Sequence, residues 1–147
     1  MDDDKKYCYK YPRPAVTTDC VLLSPDGGQM QVLLVERGHE PYKGCWALPG
    51  GFINIDEDAP AACRRELKEE TGIAADALTE VGRDISPERH AIYVAFLCVT
   101  DRDKADIALQ EGETVDFRWV SREALLSMDG SELLPSRMKG FIMEKNL

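Results

Sequence analysis

Residues 50–73 read GGFINIDEDAPAACRRELKEETGI, and this stretch of the 147-residue chain decides the fold. Its spacing predicts an α-helix from about Ala59 to Thr71, since apolar residues recur at intervals of three and four. Asp58 is placed to cap the amino terminus of this helix, and Gly72 is placed to end it in a left-handed conformation. The predicted apolar side consists of Ala59, Ala62, Cys63 and Leu67.

Two glutamates share that apolar side of the predicted helix. At about 100° per residue, Glu66 and Glu70 fall within the apolar arc and Glu69 falls at its edge. An acidic helix is more often a solvated face, but here basic residues occupy the opposite side, and a carboxylate removed from water is costly unless it is paired or bound to a cation. A site for a hard, oxygen-preferring cation would resolve this cost and the mutual repulsion. The residues assigned to the solvent side are Arg64, Lys68 and Thr71.

Nine positions of residues 51–73 follow a fixed spacing. They are Gly51, Glu57, Arg65, Glu66, Leu67, Glu69, Glu70, Gly72 and Ile73. This spacing resembles the box of the Nudix hydrolase superfamily, and residues 46–51 (WALPGG) resemble the segment that leads into it. The resemblance implies the Nudix fold, in which a mixed β-sheet is sandwiched between helices, an α/β architecture of the loose α+β kind.

The same resemblance implies a divalent metal site on the helix. Glu66, Glu69 and Glu70 would bind Mg²⁺, or Mn²⁺ in its place, and a carbonyl near Gly50 would join the metal shell. Such a cation polarises a pyrophosphate and lowers the pKa of a bound water. The expected activity is metal-assisted hydrolysis of a phosphoanhydride, since the sequence has neither a P-loop lysine motif nor a Gly-x-Ser-x-Gly elbow.

Other box residues are expected to shape the site. Glu57 and Arg65 would lock the preceding loop onto the helix, and Arg65 could also pair with Glu69 four residues on. Gly51 would allow the close approach of another chain segment, and Gly72 would be structural.

Candidates for the general base lie both in the box and in a later loop. Within the box the candidates are Glu66 and Glu69. In the later stretch, residues 111–113 (EGE), Glu111 would supply the base or a metal ligand, with Glu113 as its rival, and the alternative is a plain polar turn. The predicted catalytic set is Glu66, Glu69, Glu70, Arg65 and Glu111.

Segments outside the box resemble bacterial ADP-ribose pyrophosphatase-like members of the superfamily. They are residues 13–17 (RPAVT), 41–46 (PYKGCW) and 82–84 (GRD). The resemblance implies cleavage of ADP-ribose, or a similar nucleotide sugar, to AMP and ribose 5-phosphate. Residues 134–137 (LPSR) depart from this group, whose members often carry an Asp-His pair at the start of the last helix. Three arginines are candidates for contacts with phosphate or ribose, and the alternative for each is an ordinary surface arginine. They are Arg37, Arg83 and Arg89.

Two other functions fit parts of the pattern. One is a nucleoside-triphosphate pyrophosphatase, such as a sanitiser of oxidised guanine nucleotides. The other is a non-catalytic ADP-ribose-sensing module of a transcription regulator, a type that often has a degraded box. The intact box therefore favours the enzyme.

Composition bounds the partners and the compartment. The net charge of −9 argues against a nucleic-acid polymer, which requires a basic surface, and leaves a small nucleotide-derived substrate bridged by a cation. No apolar run reaches the length needed to span a membrane. Five scattered cysteines favour reduced thiols in a cytoplasmic protein over zinc or disulfides.

Because related ADP-ribose hydrolases are commonly dimers, we expect a homodimer. His39 and His90 lack evident partners and are expected to be surface or loop residues.

The remaining chain is expected to complete one domain over residues 13–147, after a polar tail at residues 1–12. Strands are predicted over residues 17–23, 30–36, 81–85, 92–100 and 115–120, with a turn at 24–28 and a long loop at 38–51. Further helices are predicted at residues 122–128, capped by Ser121, and at 135–145.

Overall fold

The structure is a computed structural model that describes residues 8–134 and 138–144. Its strands are β1 (Ala15–Asp26), β2 (Gln29–Arg37), β3 (Trp46–Ala47), β4 (Gly50–Phe52), β5 (Thr79–Ser86), β6 (Ala91–Val99), β7 (Thr114–Ser121) and β8 (Leu133–Leu134). Its helices are α1 (Ala59–Thr71), α2 (Arg122–Ser127) and α3 (Met138–Glu144), with a short 3-10 turn at Gly130–Glu132.

The strands of the described residues form one mixed sheet in the order β5-β6-β1-β2-β3-β8, with β4 beside β1 and β7 beside β2. The central strand, β1, runs parallel to β6 from Ala15 to Leu23. On its other edge β1 pairs with two antiparallel partners, β4 near its amino end and β2 near its carboxyl end. This division places β4, and the helix that follows it, at one end of the sheet.

Alternation along β1 builds a core on each face of the sheet, because successive side chains of a strand point to opposite faces. Cys20 and Leu22 pack in the cluster that contains Cys63 and Leu67 of α1. Val21 packs in the opposite cluster with Val120, Trp46, Leu125 of α2, and Met138 and Ile142 of α3. The sheet therefore lies between helices, which confirms the predicted fold class.

Helix α1 has the predicted bounds, and local signals explain both ends. Asp58 Oδ1 accepts a hydrogen bond of 2.9 Å from the Ala61 N–H, which satisfies one of the free donors of the first turn. Gly72 has φ 78°, and its N–H donates to the Lys68 carbonyl at 2.9 Å. A left-handed residue of this kind is most readily a glycine.

Thr71 was wrongly assigned to the solvent side of α1, since it is fully buried. Its hydroxyl donates to the Leu67 carbonyl at 2.6 Å and accepts from the Ile73 N–H at 3.2 Å. Its carbonyl accepts from the Ala108 N–H at 2.8 Å. The segment before β7 thus covers the last turn of α1, a long-range contact that helical periodicity does not contain.

The prediction of a loop over residues 38–51 was wrong for the second half of this segment, where β3 and β4 form. These strands are too short to show a period of their own, and they exist because Trp46 pairs with Glu36 of β2 and Gly51 pairs with Thr18 of β1. The turn predicted at residues 24–28 is narrower, because β1 continues to Asp26. Strand β8 and the 3-10 turn were not predicted.

The other predicted elements match, with ends moved by one to three residues where they are described. Ser121 caps α2, its hydroxyl accepting from the Ala124 N–H at 3.1 Å. Of the helix predicted at residues 135–145, the described part is α3, while residues 135–137 and 145 lie outside the described residues. Residues 8–12 of the predicted tail are exposed and form neither helix nor strand.

All five cysteines carry free thiols, and Cys63 is buried on α1 as predicted. The contact with Cys63, together with burial, holds the pKa of the Cys20 thiol well above its usual range. None of the helices in the described residues could cross a membrane, the longest having 13 residues where about 20 are needed.

The N-cap of α1 provides a test of its local origin. Replacing Asp58 by Ala removes the acceptor for the Ala61 N–H, and we expect the free energy of unfolding to fall by about 1 kcal/mol. Urea denaturation followed by circular dichroism measures this change. Asp56→Ala, two residues earlier in the exposed turn, should leave stability nearly unchanged, and equal losses in both variants would contradict the assignment of the cap.

Candidate functional site

The site forms where the backbone of β4 lies directly against α1. The Gly50 N–H donates to Glu70 Oε2 at 3.0 Å. A Cβ on Gly51 would lie 2.5 Å from Glu66 Oε1, and one on Gly50 would lie 2.0 Å from the Thr18 carbonyl oxygen. A side chain on Gly50 would meet the backbone of β1, so Gly50 is required for β4 to pair there. A side chain on Gly51 would displace the Glu66 carboxylate from its observed position.

Arg65 joins the loop after β4 to the helix. Its Nη2 donates to Glu57 Oε1 at 2.7 Å and to the Phe52 carbonyl at 3.0 Å, and its Nη1 donates to Glu66 Oε1 at 2.8 Å. Glu57 Oε1 also accepts from the Asn54 N–H at 2.9 Å. These charge-assisted contacts lower the pKa of Glu57 and join the loop to the helix, while the orienting role of Arg65 and Glu57 in the site stays a prediction.

Partial burial raises the pKa of both Glu66 and Glu70, so each carboxylate is more easily kept ionised by a nearby positive charge than by water alone. Loss of water raises the pKa of Glu66 despite its ion pair with Arg65. It raises the pKa of Glu70 to about 8, with further contributions from the charges of Glu66, Glu113 and Asp19. Each shift means that the ionised carboxylate lacks sufficient compensation in the protein. A cation beside the pair would supply that compensation.

The structure brings together two of the three predicted metal-binding carboxylates. Glu69 is 45% exposed, and its Oε2 lies 3.4 Å from Arg65 Nη1. In residues 8–134 and 138–144, no group of three or more His, Cys, Asp or Glu side chains is gathered closely enough to hold a metal ion. Glu66 and Glu70 nevertheless have the oxygen donors that Mg²⁺ and Mn²⁺ prefer. Glu69 and the Gly50 carbonyl stay predicted ligands, and the observed contact at Gly50 is made by its N–H.

Of the two acids in the later loop, Glu113 has a close contact in the structure. The charge of Glu113 raises the pKa of Glu70, and its carboxylate lies 2.6 Å from His39 Nε2. Both Glu111 and Glu113 are exposed in the turn that precedes β7. The structure places His39 against Glu113, whereas a role of either acid as base or metal ligand stays a prediction.

The three predicted substrate-binding arginines have different surroundings. Arg37 Nε donates to the Pro41 carbonyl at 2.9 Å and so stabilises the loop after β2. Arg83 is 69% exposed and pairs with Glu80 at 2.8 Å, as an ordinary surface arginine would. Contacts with the hydroxyls of Tyr93 and Tyr42 raise the pKa of Arg89. Arg89 is therefore the arginine that belongs to a cluster of aromatic side chains.

A row of side chains across the sheet was missed from the sequence. Phe52 of β4 and Tyr93 of β6 are both register partners of Thr17 on β1, so their side chains lie on one face of the sheet. The next row on that face contains Asp19, paired with Gly50. Phe52 is 66% exposed, so the row is open to solvent at its β4 end. The pairing that assembles this row is long-range, so only the position of Phe52 beside Gly51 could have suggested it.

The comparisons with known proteins agree with this geometry. The family model of the NUDIX domain matches residues 13–141. The chain belongs to the Nudix family. It is 38% identical over 143 residues to an ADP-ribose pyrophosphatase of Methanocaldococcus jannaschii, covering 93% of this chain and 80% of that protein.

One further relative of this Nudix chain is named as a transcriptional repressor, and one similar solved structure contains ADP ribose. The chain is 34% identical over 127 residues to the ADPR responsive transcriptional repressor NtrR of Acinetobacter baylyi, covering 81% of this chain and 49% of the repressor. The chain thus spans about half the length of that relative. The NUDIX domain of Shewanella oneidensis NrtR, solved in complex with ADP ribose, matches with a TM-score of 0.76 at 22% identity, over 93% of this chain and 91% of that one. At that identity the structural match shows the fold.

The raised pKa of the half-buried Glu70 carboxylate predicts a specific pH dependence of stability. Without a cation, the native protein holds a proton on Glu70 that the unfolded chain releases from about pH 4.5, the ordinary pKa, up to about pH 8. Native stability therefore falls as the pH rises through this window. Glu70→Gln cannot ionise, so its stability relative to the wild type should rise by about 1.4 kcal/mol per pH unit across the window.

Chemical denaturation in EDTA between pH 5 and pH 9 measures this difference. Glu69→Gln, at an exposed position on the same helix, is the matched control and should run parallel to the wild type. Parallel curves for Glu70→Gln and the wild type would show that Glu70 is not held in a costly environment.

Proposed function

We propose that this chain is a hydrolase that cleaves the pyrophosphate of ADP-ribose, or of a similar nucleotide sugar, with the help of Mg²⁺ or Mn²⁺. Water adds across the phosphoanhydride bond, and the products are AMP and ribose 5-phosphate. The observation that carries the proposal is the half-buried pair Glu66 and Glu70, held against the backbone of Gly50 and Gly51. The similarity to the archaeal ADP-ribose pyrophosphatase supports the choice of substrate.

The carboxylate pair has the charge that a pyrophosphate site needs only in the presence of a cation. A pyrophosphate and two carboxylates repel each other, and a bound divalent cation reverses this repulsion and polarises the phosphorus-oxygen bonds. Glu66 and Glu70 would hold it, and Arg65 would fix the orientation of Glu66 through the 2.8 Å contact. The proton of the attacking water requires a base, and the candidates predicted from the sequence in the box and in the later loop stay predictions.

The exposed row would receive the nucleoside on the sheet face opposite to the one that packs against α1, so the ligand would extend past β4 to reach the carboxylate pair. Adjacent strands lie about 4.8 Å apart, so Phe52 and Tyr93 stand two strand spacings apart on either side of Thr17. Such a gap between two aromatic side chains suits a planar ring. Tyr93 also contacts Arg89, which would then lie beside the sugar or phosphate of the same ligand.

A second function is favoured by one observation, the 34% identity to an ADP-ribose responsive repressor. Under this alternative, the chain binds ADP-ribose without cleaving it. The complete box, in which Arg65 contacts both Glu57 and Glu66, favours catalysis instead. The third candidate from the sequence, a nucleoside-triphosphate pyrophosphatase, would use the same carboxylates on a different ligand.

A substrate panel distinguishes the three functions. The protein is incubated with ADP-ribose, other nucleotide sugars, nucleoside triphosphates and an oxidised guanine nucleotide, and products are separated by chromatography. We expect AMP from ADP-ribose with Mg²⁺ and none with EDTA. Faster cleavage of a triphosphate to monophosphate and pyrophosphate would contradict the proposed substrate. Tight binding of ADP-ribose with no turnover of any compound would favour the sensor.

Glu66→Gln and Glu70→Gln test the carboxylate pair directly. Each variant removes a charge from the cation site, and we expect a loss of several kcal/mol of transition-state stabilisation, which is at least about a hundredfold in kcat/KM. Glu144→Gln, at the exposed end of α3, is the matched control and should keep full activity. Wild-type Mg²⁺-dependent turnover in Glu70→Gln would rule out the assigned site.

Phe52→Ala tests the aromatic row. If the ring stacks on the base, its loss should raise KM for ADP-ribose about tenfold, the effect typical of a stacking side chain, while kcat stays near the wild-type value. Val99→Ala, which removes another exposed apolar side chain at the far end of β6, should change neither constant. An unchanged KM in Phe52→Ala would place the base elsewhere.

A further inference from the structure

The sheet face opposite to α1 is more open at the amino end of β1 than at its carboxyl end. Toward the carboxyl end, Val21 packs in the core cluster with Leu125 of α2 and Ile142 of α3. Toward the amino end, Thr17 and Asp19 on the same face are only half-buried. A ligand could therefore lie on this face without displacing α2 or α3 from their core contacts.

Two rows of residues cross this open end from β4 through β1 and β6 to β5. The aromatic row contains Phe52, Thr17, Tyr93 and Asp84, and the adjacent row contains Gly50, Asp19, Ala95 and Gly82. In the adjacent row only Asp19 has a side chain longer than a methyl group. This row is thus a low floor beside the aromatic side chains, and it ends at Gly50, whose N–H donates to Glu70.

Thr17 lies in the middle of the aromatic row, and its hydroxyl has no partner. The Oγ1 atom is closed off from water and makes no hydrogen bond with any residue that the structure describes. Buried polar groups are normally hydrogen-bonded, because leaving one unpaired costs free energy. The hydroxyls of Thr18 and Thr114 are buried and unpaired too, but Thr18 faces α1 and Thr114 lies on β7.

The two neighbours of Thr17 provide flat surfaces on either side of its hydroxyl. Phe52 and Tyr93 are both register partners of Thr17, each about 4.8 Å away across one strand spacing. Phe52 is 66% exposed, so its ring can turn outward without repacking the core. A planar ring that enters between the two aromatic side chains would therefore meet the Thr17 hydroxyl with its edge.

The edge of a nucleobase matches this hydroxyl in chemistry. Ring nitrogens and carbonyl oxygens of a base accept hydrogen bonds and its amino groups donate them, while a threonine hydroxyl can do both. Because Oγ1 is closed off from water, a hydrogen bond to the base there would not compete with solvent. A sugar or a phosphate in the same place would have no face to stack on Phe52 or Tyr93.

We propose that Thr17 is a base-binding residue, whose hydroxyl hydrogen-bonds the edge of the nucleobase held between Phe52 and Tyr93. This inference rests on the proposed function, because it names the residue that recognises the base of that substrate. The sugar and the pyrophosphate then follow the low floor toward Gly50 and pass β4 to reach the carboxylate pair.

The two products of the proposed reaction test this contact by binding alone. AMP carries the base and ribose 5-phosphate does not, while both carry one phosphate group. Isothermal titration calorimetry in Mg²⁺ measures the Kd of each for the wild type and for Thr17→Val, which keeps the shape of threonine without its hydroxyl. In Thr17→Val we expect the Kd of AMP to rise about tenfold, the usual scale of one hydrogen bond, and that of ribose 5-phosphate to stay unchanged.

Two further variants and a melting curve separate recognition of the base from a structural effect. Thr17→Ser keeps the hydroxyl and should retain most of the affinity for AMP. Thr79→Val makes the same change at an exposed position of β5 and should bind AMP as the wild type does. Thr17→Val loses a buried hydroxyl that has no partner, so without ligand its Tm should equal or exceed that of the wild type.

The possible results distinguish base recognition from the proposed activity. Equal AMP affinity in the wild type and Thr17→Val, no AMP binding by the wild type, or equal losses for AMP and ribose 5-phosphate would overturn the role of Thr17. If Thr17→Val binds AMP more weakly and the wild type cleaves no compound of the panel, the proposed function is contradicted while the role of Thr17 in base binding is supported.

Discussion

The contact between the β4 backbone and helix α1 is the constraint on which the rest of the structure depends. It takes Glu66 and Glu70 partly out of water, and it depends on the missing side chains of residues 50 and 51, since one at Gly50 would meet the β1 backbone and one at Gly51 would displace the Glu66 carboxylate. The protein offsets this burial in part, through Arg65 at Glu66 and the Gly50 N–H at Glu70. The remaining negative charge of the two carboxylates is not compensated by water or by the protein. This is the physical reason to expect a divalent cation there.

The machinery of bond cleavage and the selection of substrate occupy different parts of the fold. The cation site is built by residues close in sequence, from β4 through α1, and Arg65 connects them by contacts with Glu57, Glu66 and the Phe52 carbonyl. The surface that would receive the nucleoside is assembled from β1, β4 and β6. The relatives of this Nudix chain include one named as an ADP-ribose pyrophosphatase and one named as an ADPR responsive transcriptional repressor.

The same division explains what could be predicted from the sequence. Helix α1 was predicted with its bounds because Asp58, the apolar spacing and Gly72 are local signals. Strands β3 and β4 were missed because each exists only through pairing with β2 or β1. Thr71 was misplaced because a distant segment covers it. Among the site residues, those in the box could be located from spacing, whereas the contact of His39 with Glu113 joins residues 74 positions apart and has no local signature.

The state of the Glu70 carboxylate decides the central claim, that burial prepares this helix for a cation. Carbon-13 NMR of the labelled glutamate side chains can follow its titration without metal and with saturating Mg²⁺. Without metal we expect Glu70 to titrate near pH 8, because of burial and the neighbouring charges. With Mg²⁺ its pKa should fall well below the ordinary value for glutamate, since a bound cation stabilises the ionised form. Titration near the ordinary value in both conditions would contradict the account.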